Sequence, residues 1–271
     1  MAVHYYEWYY TVLFFMAYSV GGWLCECVYC SVLDKKLVNR GFLNGPVCPI
    51  YGTGAILVIM FLLPVKNSII AVFLLGTAIT CALEYFTSWL MEQLFDARWW
   101  DYSNYRFHIH GRVCLLNGVL FGVMCVLLMQ WIHPFVSGFV LALPRDAAAV
   151  LACASAVVML ADAAVTVHAA VTLKIKLEEL RALAEELKYS TQAKRWYYEN
   201  RIQAALETVN TQNNSDRVDL HRNAKDRWKK LSENHFLHRR LIEAFPNMKH
   251  KKYRVQLAAL RLEWKTKHGR N

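Results

Sequence analysis

"SIIAVFLLGTAITCALEYFTSWLMEQL" runs from Ser68 to Leu94, and its only charged residues are Glu84 and Glu92. At about 1.5 Å of rise per residue, a helix of this length reaches about 40 Å, more than the roughly 30 Å apolar core of a bilayer. The charged residues of this run are confined to its second half, and the run as a whole is apolar. It therefore reads as a membrane span, with an acid eight residues before its charged end.

Four further apolar runs flank it: Trp8–Val32, Val47–Pro64, Val113–His133 and Ala147–Leu173. Backbone polar groups find no water inside a bilayer, so such segments must be helices that satisfy their own hydrogen bonds. The first run is too long for a cleaved signal, and no basic stretch precedes it. The second is short and holds Pro49, Gly52 and Gly54, which predicts a broken or tilted start. The expected fold is an all-α polytopic membrane helix bundle of five transmembrane helices over 1–173, followed by a basic helical cytoplasmic tail over 174–271.

Composition agrees with that division. The chain is 56% hydrophobic yet carries a net charge of +10. Residues 1–170 hold eight Lys and Arg against nine Asp and Glu, a net of −1, and residues 171–271 hold 23 against 12, a net of +11. Such asymmetry points to a charged partner surface for the tail. All eight cysteines lie in the apolar part, unlike a secreted disulfide framework, and buried cysteine behaves as a small apolar residue. The run Cys25-Glu26-Cys27-Val28-Tyr29-Cys30 has no second cysteine pair at zinc-finger spacing, so no metal is expected there.

Basic residues in short loops set orientation. The first loop holds Lys35, Lys36 and Arg40, and the third holds Arg98, Arg106 and Arg112. The second holds only Lys66 and the fourth only Arg145. The first loop, third loop and tail are thus expected in the cytoplasm and the N-terminus outside, in a plasma membrane. The third loop, "RWWDYSNYRFHIHGRVCLLNG" from Arg98 to Gly118, lies at the membrane surface, where Trp99 and Trp100 suit the interface.

Three acids stand inside the predicted spans. Glu26 precedes Asp34 by eight residues, as Glu84 precedes Glu92, so each sits about 12 Å from the cytoplasmic helix end. Asp162 lies 12 residues before Lys174, about 18 Å in. Charges at such depth are costly and face a bundle interior or cavity. Arginine can snorkel inward and pair bidentately with a carboxylate. The expectation is that Arg40 and Arg112 neutralise Glu26 and Glu84, and that Asp162 completes the site. Asn44, Tyr51 and Asn117 line it, and Asp101, Tyr102 and His110 form its polar mouth. An equally direct reading makes these pairs simple helix clamps. His108 and His110 form an H-x-H that suits a metal by spacing, but interfacial polar histidines are the simpler reading, and neither metal nor cofactor is expected.

The two hairpins look like a repeat. Glu26 is followed by "NRGFLNGPVCPIYG" (39–52), and Glu84 by "HGRVCLLNGVLFG" (110–122). Each has an acid, a basic aromatic loop, an Arg, an Asn-Gly and a later Gly, arranged as in a parallel transporter repeat.

These loops carry a resemblance. "RGFLNGPVCPIYGTGA" and "WWDYSNYRFHIHGRVCLLNG" resemble the signature stretches of the type IV ABC-transporter permease family (CmpB-like), and "RRLIEAFPNMKHKKYRVQLAALR" (239–261) resembles its C-terminal part. The resemblance implies a bacterial multi-span membrane protein of permease type, with no established catalytic set. No G-x-x-x-x-G-K-[ST] occurs in the sequence, so the resemblance further implies an ATPase on a separate subunit. No H-E-x-x-H, G-x-S-x-G or G-x-G-x-x-G occurs, and no enzymatic activity is expected of this chain.

From Lys174 the pattern is polar and helical, a continuation of the last span or a coiled coil, until "NTQNNSD" (210–216) breaks it. Asp216–Phe245 and Lys249–Lys267 read as two amphipathic basic helices. Beyond the bilayer itself, the expected partners are anionic lipid or a soluble protein at the tail, and a second copy of the chain, but not nucleic acid. Two other classes stay open: a membrane scaffold or sensor that docks a soluble partner, and a membrane-embedded lipid enzyme using Glu26, Glu84 or Asp162 as acid or base.

Overall fold

A computed structural model describes residues 7–35, 39–201, 227 and 236–268. Helix α1 spans Trp8–Asp34, α2 Pro49–Leu62, and α3 Ile69–Phe95. Helix α4 (Leu115–Leu127) continues through a π turn at Leu128–Ile132 into α5 (His133–Val140), and α6 runs from Arg145 to Arg201. Helices α7 (Phe236–Ala244) and α8 (Arg254–His268) follow.

Four helical stretches are long and apolar enough to cross a membrane: Trp8–Val32, Ile69–Phe95, Leu115–Val140 and Arg145–Glu185. The chain is thus a multi-pass membrane-type helix bundle. Of the five expected spans, the second is not of membrane length: α2 with the 3₁₀ turn Leu63–Val65 forms a shorter apolar helix, Pro49–Val65. Pro49 sets its start, where a missing N–H costs nothing, and Pro64 tightens its end. The π turn has a local cause too. Pro134 lacks the N–H that would bond back one turn, and its ring displaces the carbonyl there, so the backbone widens.

The described residues form two compact units: 1–169 with 240–249, and 170–239 with 250–271. In the first unit α1 packs on α2, α2 on α3, and α3 on α4. Small residues let these backbones meet. A Cβ on Gly52 would come within 2.1 Å of Ser19 Oγ and 2.6 Å of the Phe15 carbonyl oxygen on α1. A Cβ on Gly122 would come within 2.3 Å of Thr77 Oγ1 on α3. These are the last glycines of the two repeated stretches, so each repeat ends in a close helix approach. The apolar core of this unit gathers Tyr10, Phe14, Val58, Leu62, Val72, Met129 and Ala148, toward the helix ends away from the first and third loops. Large apolar side chains such as Phe86, Phe135, Phe139, Val157 and Leu160 are exposed, as lipid-facing positions should be.

In the second unit α6 buries Leu177, Leu180 and Leu183, and α8 buries Leu257, Leu260 and Trp264. The Lys176 ammonium stands 6.0 Å from the Trp264 ring centroid, and Thr172 Oγ1 lies 3.0 Å from His238 Nε2. The predicted continuation of the last span beyond Lys174 is present as one helix to Arg201. The predicted helix Lys249–Lys267 begins instead at Arg254, because Lys249–His250 is a short strand. "NTQNNSD" and residues 216–226 lie outside the described residues.

Candidate functional site

The two signature loops meet at one end of the first unit. Trp99, 3% exposed, is the meeting point: its ring lies 5.0 Å from Phe42 of the first loop and 5.7 Å from Phe95 at the end of α3. The third loop is a small hairpin. His108–Ile109 pairs with Val113–Cys114, and Phe107, His110 and Gly111 turn the chain with positive φ. Gly111 is needed there, since a Cβ would sit 2.7 Å from Asp101 Oδ1. The Tyr102 N–H donates to the Gly111 carbonyl at 2.8 Å, and Trp100 Nε1 donates to the Arg112 carbonyl at 3.1 Å. This internal ladder fixes where Tyr102 and Arg112 point.

Each membrane acid has its own partners. Tyr51 at the start of α2 donates its hydroxyl to Glu26 Oε2 at 2.7 Å, and Arg40 Nε lies 3.7 Å from Glu26 Oε1. Tyr102 donates to Glu84 Oε1 at 3.1 Å. Burial raises the Tyr102 phenol above the tyrosine range, with the Glu84 and Glu26 charges adding to it, so Tyr102 stays a donor. Each glutamate thus accepts from a tyrosine, Tyr51 from inside the first repeated stretch and Tyr102 from ahead of the second.

Arg112 does not go where the sequence placed it. It donates from Nη2 to Glu92 Oε2 and from Nη1 to Ser88 Oγ at 3.3 Å, while Arg98 Nε also reaches Glu92 at 3.2 Å. The Arg112 guanidinium stands 5.5 Å from the centroid of the Tyr85 ring. Glu84, Ser88 and Glu92 are four residues apart on one face of α3, and all are buried. The hairpin delivers Arg112 to the two lower positions of that face and not to Glu84.

Asp162 is also placed differently. It does not join Glu26 and Glu84 through any described bond. Its Oδ1 accepts from Asn44 N at 3.1 Å and Asn44 Nδ2 at 2.8 Å, and its Oδ2 accepts from Gly45 N at 2.7 Å. Thr166, one turn on, accepts from Asn44 Nδ2 at 2.9 Å. Asp162 therefore caps the Asn-Gly turn of the first loop. Asp101 accepts from Ser103 N at 3.0 Å and pairs with Lys249 Nζ at 2.6 Å. His110 Nδ1 lies 3.1 Å from the Tyr85 hydroxyl. Asn117 is partly buried on α4 and makes none of the described contacts to the acids.

Sequence reasoning missed one whole strip of the site. Residues 240–249 belong to the first unit, and they brace both loops. Arg240 donates to the carbonyls of Gly41 at 3.1 Å, Phe42 at 2.7 Å and Leu43 at 2.8 Å. Phe245 stacks edge-on against Trp99 at 5.0 Å and lies 5.7 Å from the Arg40 guanidinium. A recognisable signal existed: "RRLIEAFPNMKH" interrupts its helix with Asn-Met after Pro246, as a docked turn would. Among the described residues, no group of three or more His, Cys, Asp or Glu could hold a metal ion.

The family model described as Putative ABC-transporter type IV matches residues 13–167, which takes in both loops and all three membrane acids. No curated protein and no solved structure matches the chain.

Proposed function

Since the chain belongs to the type IV ABC-transporter family, we propose that it is the permease subunit of a bacterial plasma-membrane transporter, powered by an ATPase on another chain. Its N-terminus lies outside, and the two signature loops and the C-terminal region face the cytoplasm. The polar membrane site comprises Glu26, Arg40, Tyr51, Glu84, Tyr102 and Arg112, held by the Asn44–Asp162 and Asp101–Lys249 contacts, with His110 and Asn117 at its edge. The single observation that supports this reading most is the convergence of both family-signature loops on acids of membrane-length helices, Glu84 buried and Glu26 half-buried. Acids of that kind are expensive to insert and are kept where solutes or ions pass.

Two measurements test it. A reporter joined after Asn271 should be cytoplasmic and a tag before Ala2 accessible from outside; the reverse result overturns the orientation. Affinity purification from native membranes should recover an ATPase subunit, and co-reconstituted vesicles should show ATP-driven flux that Glu26→Gln or Glu84→Gln lowers at least tenfold. No copurifying ATPase and no flux would overturn the permease assignment.

A further inference from the structure

The charges around α3 are unevenly distributed. Glu92, 2% exposed, has two arginines, Arg98 and Arg112. Glu84, 6% exposed, has neither; Oε1 accepts from Tyr102, and Oε2 is buried with no hydrogen-bond partner among the described residues. Glu26, by contrast, is met by both Arg40 and Tyr51. An ionised carboxylate with an orphaned oxygen in a membrane interior is among the costliest arrangements a protein can hold, and a proton removes most of the cost.

A cation is nevertheless close by. Arg112 already touches Ser88, which sits one helical turn, about 5.4 Å, from Glu84 on the same face. If Arg112 moved up that turn, Arg98 would still neutralise Glu92. We propose that Glu84 is a proton-binding site: it holds a proton in the described arrangement, and releasing that proton draws Arg112 from Glu92 to Glu84. The proton leaves to water and not to Tyr102, whose phenol is already protonated. The other titratable groups facing Glu84 are Glu26 from α1, Cys81 on its own helix and Tyr102 from the loop, with Cys114 of the hairpin facing Cys81 and Tyr102. None of these supplies a positive charge, so Arg112 is the replacement. Because Arg112 is part of the hairpin, proton release at Glu84 pulls on the third loop.

The inference rests on the reading of these acids as a membrane site but not on transport, and its test needs no flux or ATPase. The full chain is placed in lipid nanodiscs and followed by infrared difference spectroscopy across pH. At neutral pH the wild type should show the carbonyl stretch of a protonated carboxyl, absent in Glu84→Gln and retained in Glu26→Gln. Arg112→Gln should move the loss of that band to higher pH by about tenfold or more in proton concentration, because the replacement cation is gone. Glu92→Gln should move it to lower pH, because Arg112 is released; this variant decides the matter if Arg112→Gln does not fold. A neutral-pH spectrum without a Glu84-dependent carboxyl band overturns the proposal, as does a midpoint that neither variant shifts. A chain without an ATPase partner can still show the band, and a working permease can lack it, so the two failures are distinguishable.

Discussion

Asp162 on α6 accepts hydrogen bonds from both the backbone N–H and the side-chain amide of Asn44, and its second oxygen takes the N–H of Gly45. A helix carboxylate thus satisfies the donors of a turn that precedes α2, much as an N-cap residue satisfies the first N–H groups of its own helix. Hydrogen bonds to a charged acceptor contribute about 1.5–3 kcal/mol each, and losing the acceptor strands every donor at once.

Asp162→Ala should therefore destabilise the fold by about 2–4 kcal/mol, with Asp162→Asn intermediate, because an amide keeps one acceptor oxygen. Thermal unfolding in lipid nanodiscs measures this. An Asp162→Ala protein as stable as wild type would show that the turn holds without its cap.

Arg240 makes a second prediction. Three successive carbonyls of the first loop share its guanidinium, a task that suits a planar fork and not a point charge. Burial lowers the guanidinium from its ordinary value, and the nearby Asp162 opposes that shift, so acid and base flank residues 41–45. Arg240→Ala should speed hydrogen exchange at the Asn44 and Gly45 amides by about tenfold or more, the equivalent of roughly 1.4 kcal/mol of local opening. Arg240→Lys should recover little of it. Unchanged exchange in both variants would reduce Arg240 to a surface contact.

Four membrane-length apolar helices and the pairing of Arg40 with Glu26 were legible in the sequence, because each follows from hydropathy or from the short reach between a helix and the loop it enters. The partner of Arg112 was not. The sequence has Glu84 and Glu92 on one helix face, two turns apart, and the choice between them depends on a hairpin whose turn uses positive φ at Phe107 and His110. Those residues are not glycine, so nothing in their type announces that backbone. In the sequence Glu92 reads only as the charged end of the apolar run. Residues 240–249 were missed for another reason: amphipathic periodicity says that a segment has a partner face and does not say which element it meets.

Acid should loosen that same segment. Burial pushes the Asp101 carboxyl up, but the Lys249 ammonium and the Ser103 donors outweigh it and bring the group down to about 2. A folded-state value below the unfolded one, about 3.9, means stabilisation that is complete above about pH 4 and lost as pH falls toward 2. Pepsin, active in that range, should cut near Phe245 increasingly between about pH 4 and 2, and Lys249→Met should allow cutting at higher pH. The charge swap Asp101→Lys with Lys249→Asp should restore part of the protection that either single change removes. Cleavage with no pH dependence in that window would remove the ion pair from the account.

The glycines that end the repeated stretches supply the last test. At Gly52 an added Cβ meets the Phe15 backbone carbonyl at 2.6 Å as well as Ser19 Oγ at 2.1 Å, and a backbone atom cannot rotate out of the way. At Gly122 the nearest atoms are Thr77 Oγ1 at 2.3 Å and Phe73 Cε2 at 2.7 Å, both side-chain atoms that can shift where a backbone carbonyl cannot. Gly54 is different: its added Cβ would touch only Leu83 Cδ2 at 3.4 Å, an ordinary contact. Gly52→Ala should therefore cost about 1–3 kcal/mol, as overpacking does, Gly122→Ala a similar or smaller amount, and Gly54→Ala almost nothing. Because Tyr51 is the residue before Gly52, pushing α2 away from α1 should also break the Tyr51–Glu26 hydrogen bond, whereas Gly122→Ala should leave it intact. Folded yield after membrane extraction and the infrared signature of the Tyr51 hydroxyl separate these outcomes. If Gly52→Ala folded as well as Gly54→Ala, the close helix approach would not be what positions Tyr51 on Glu26.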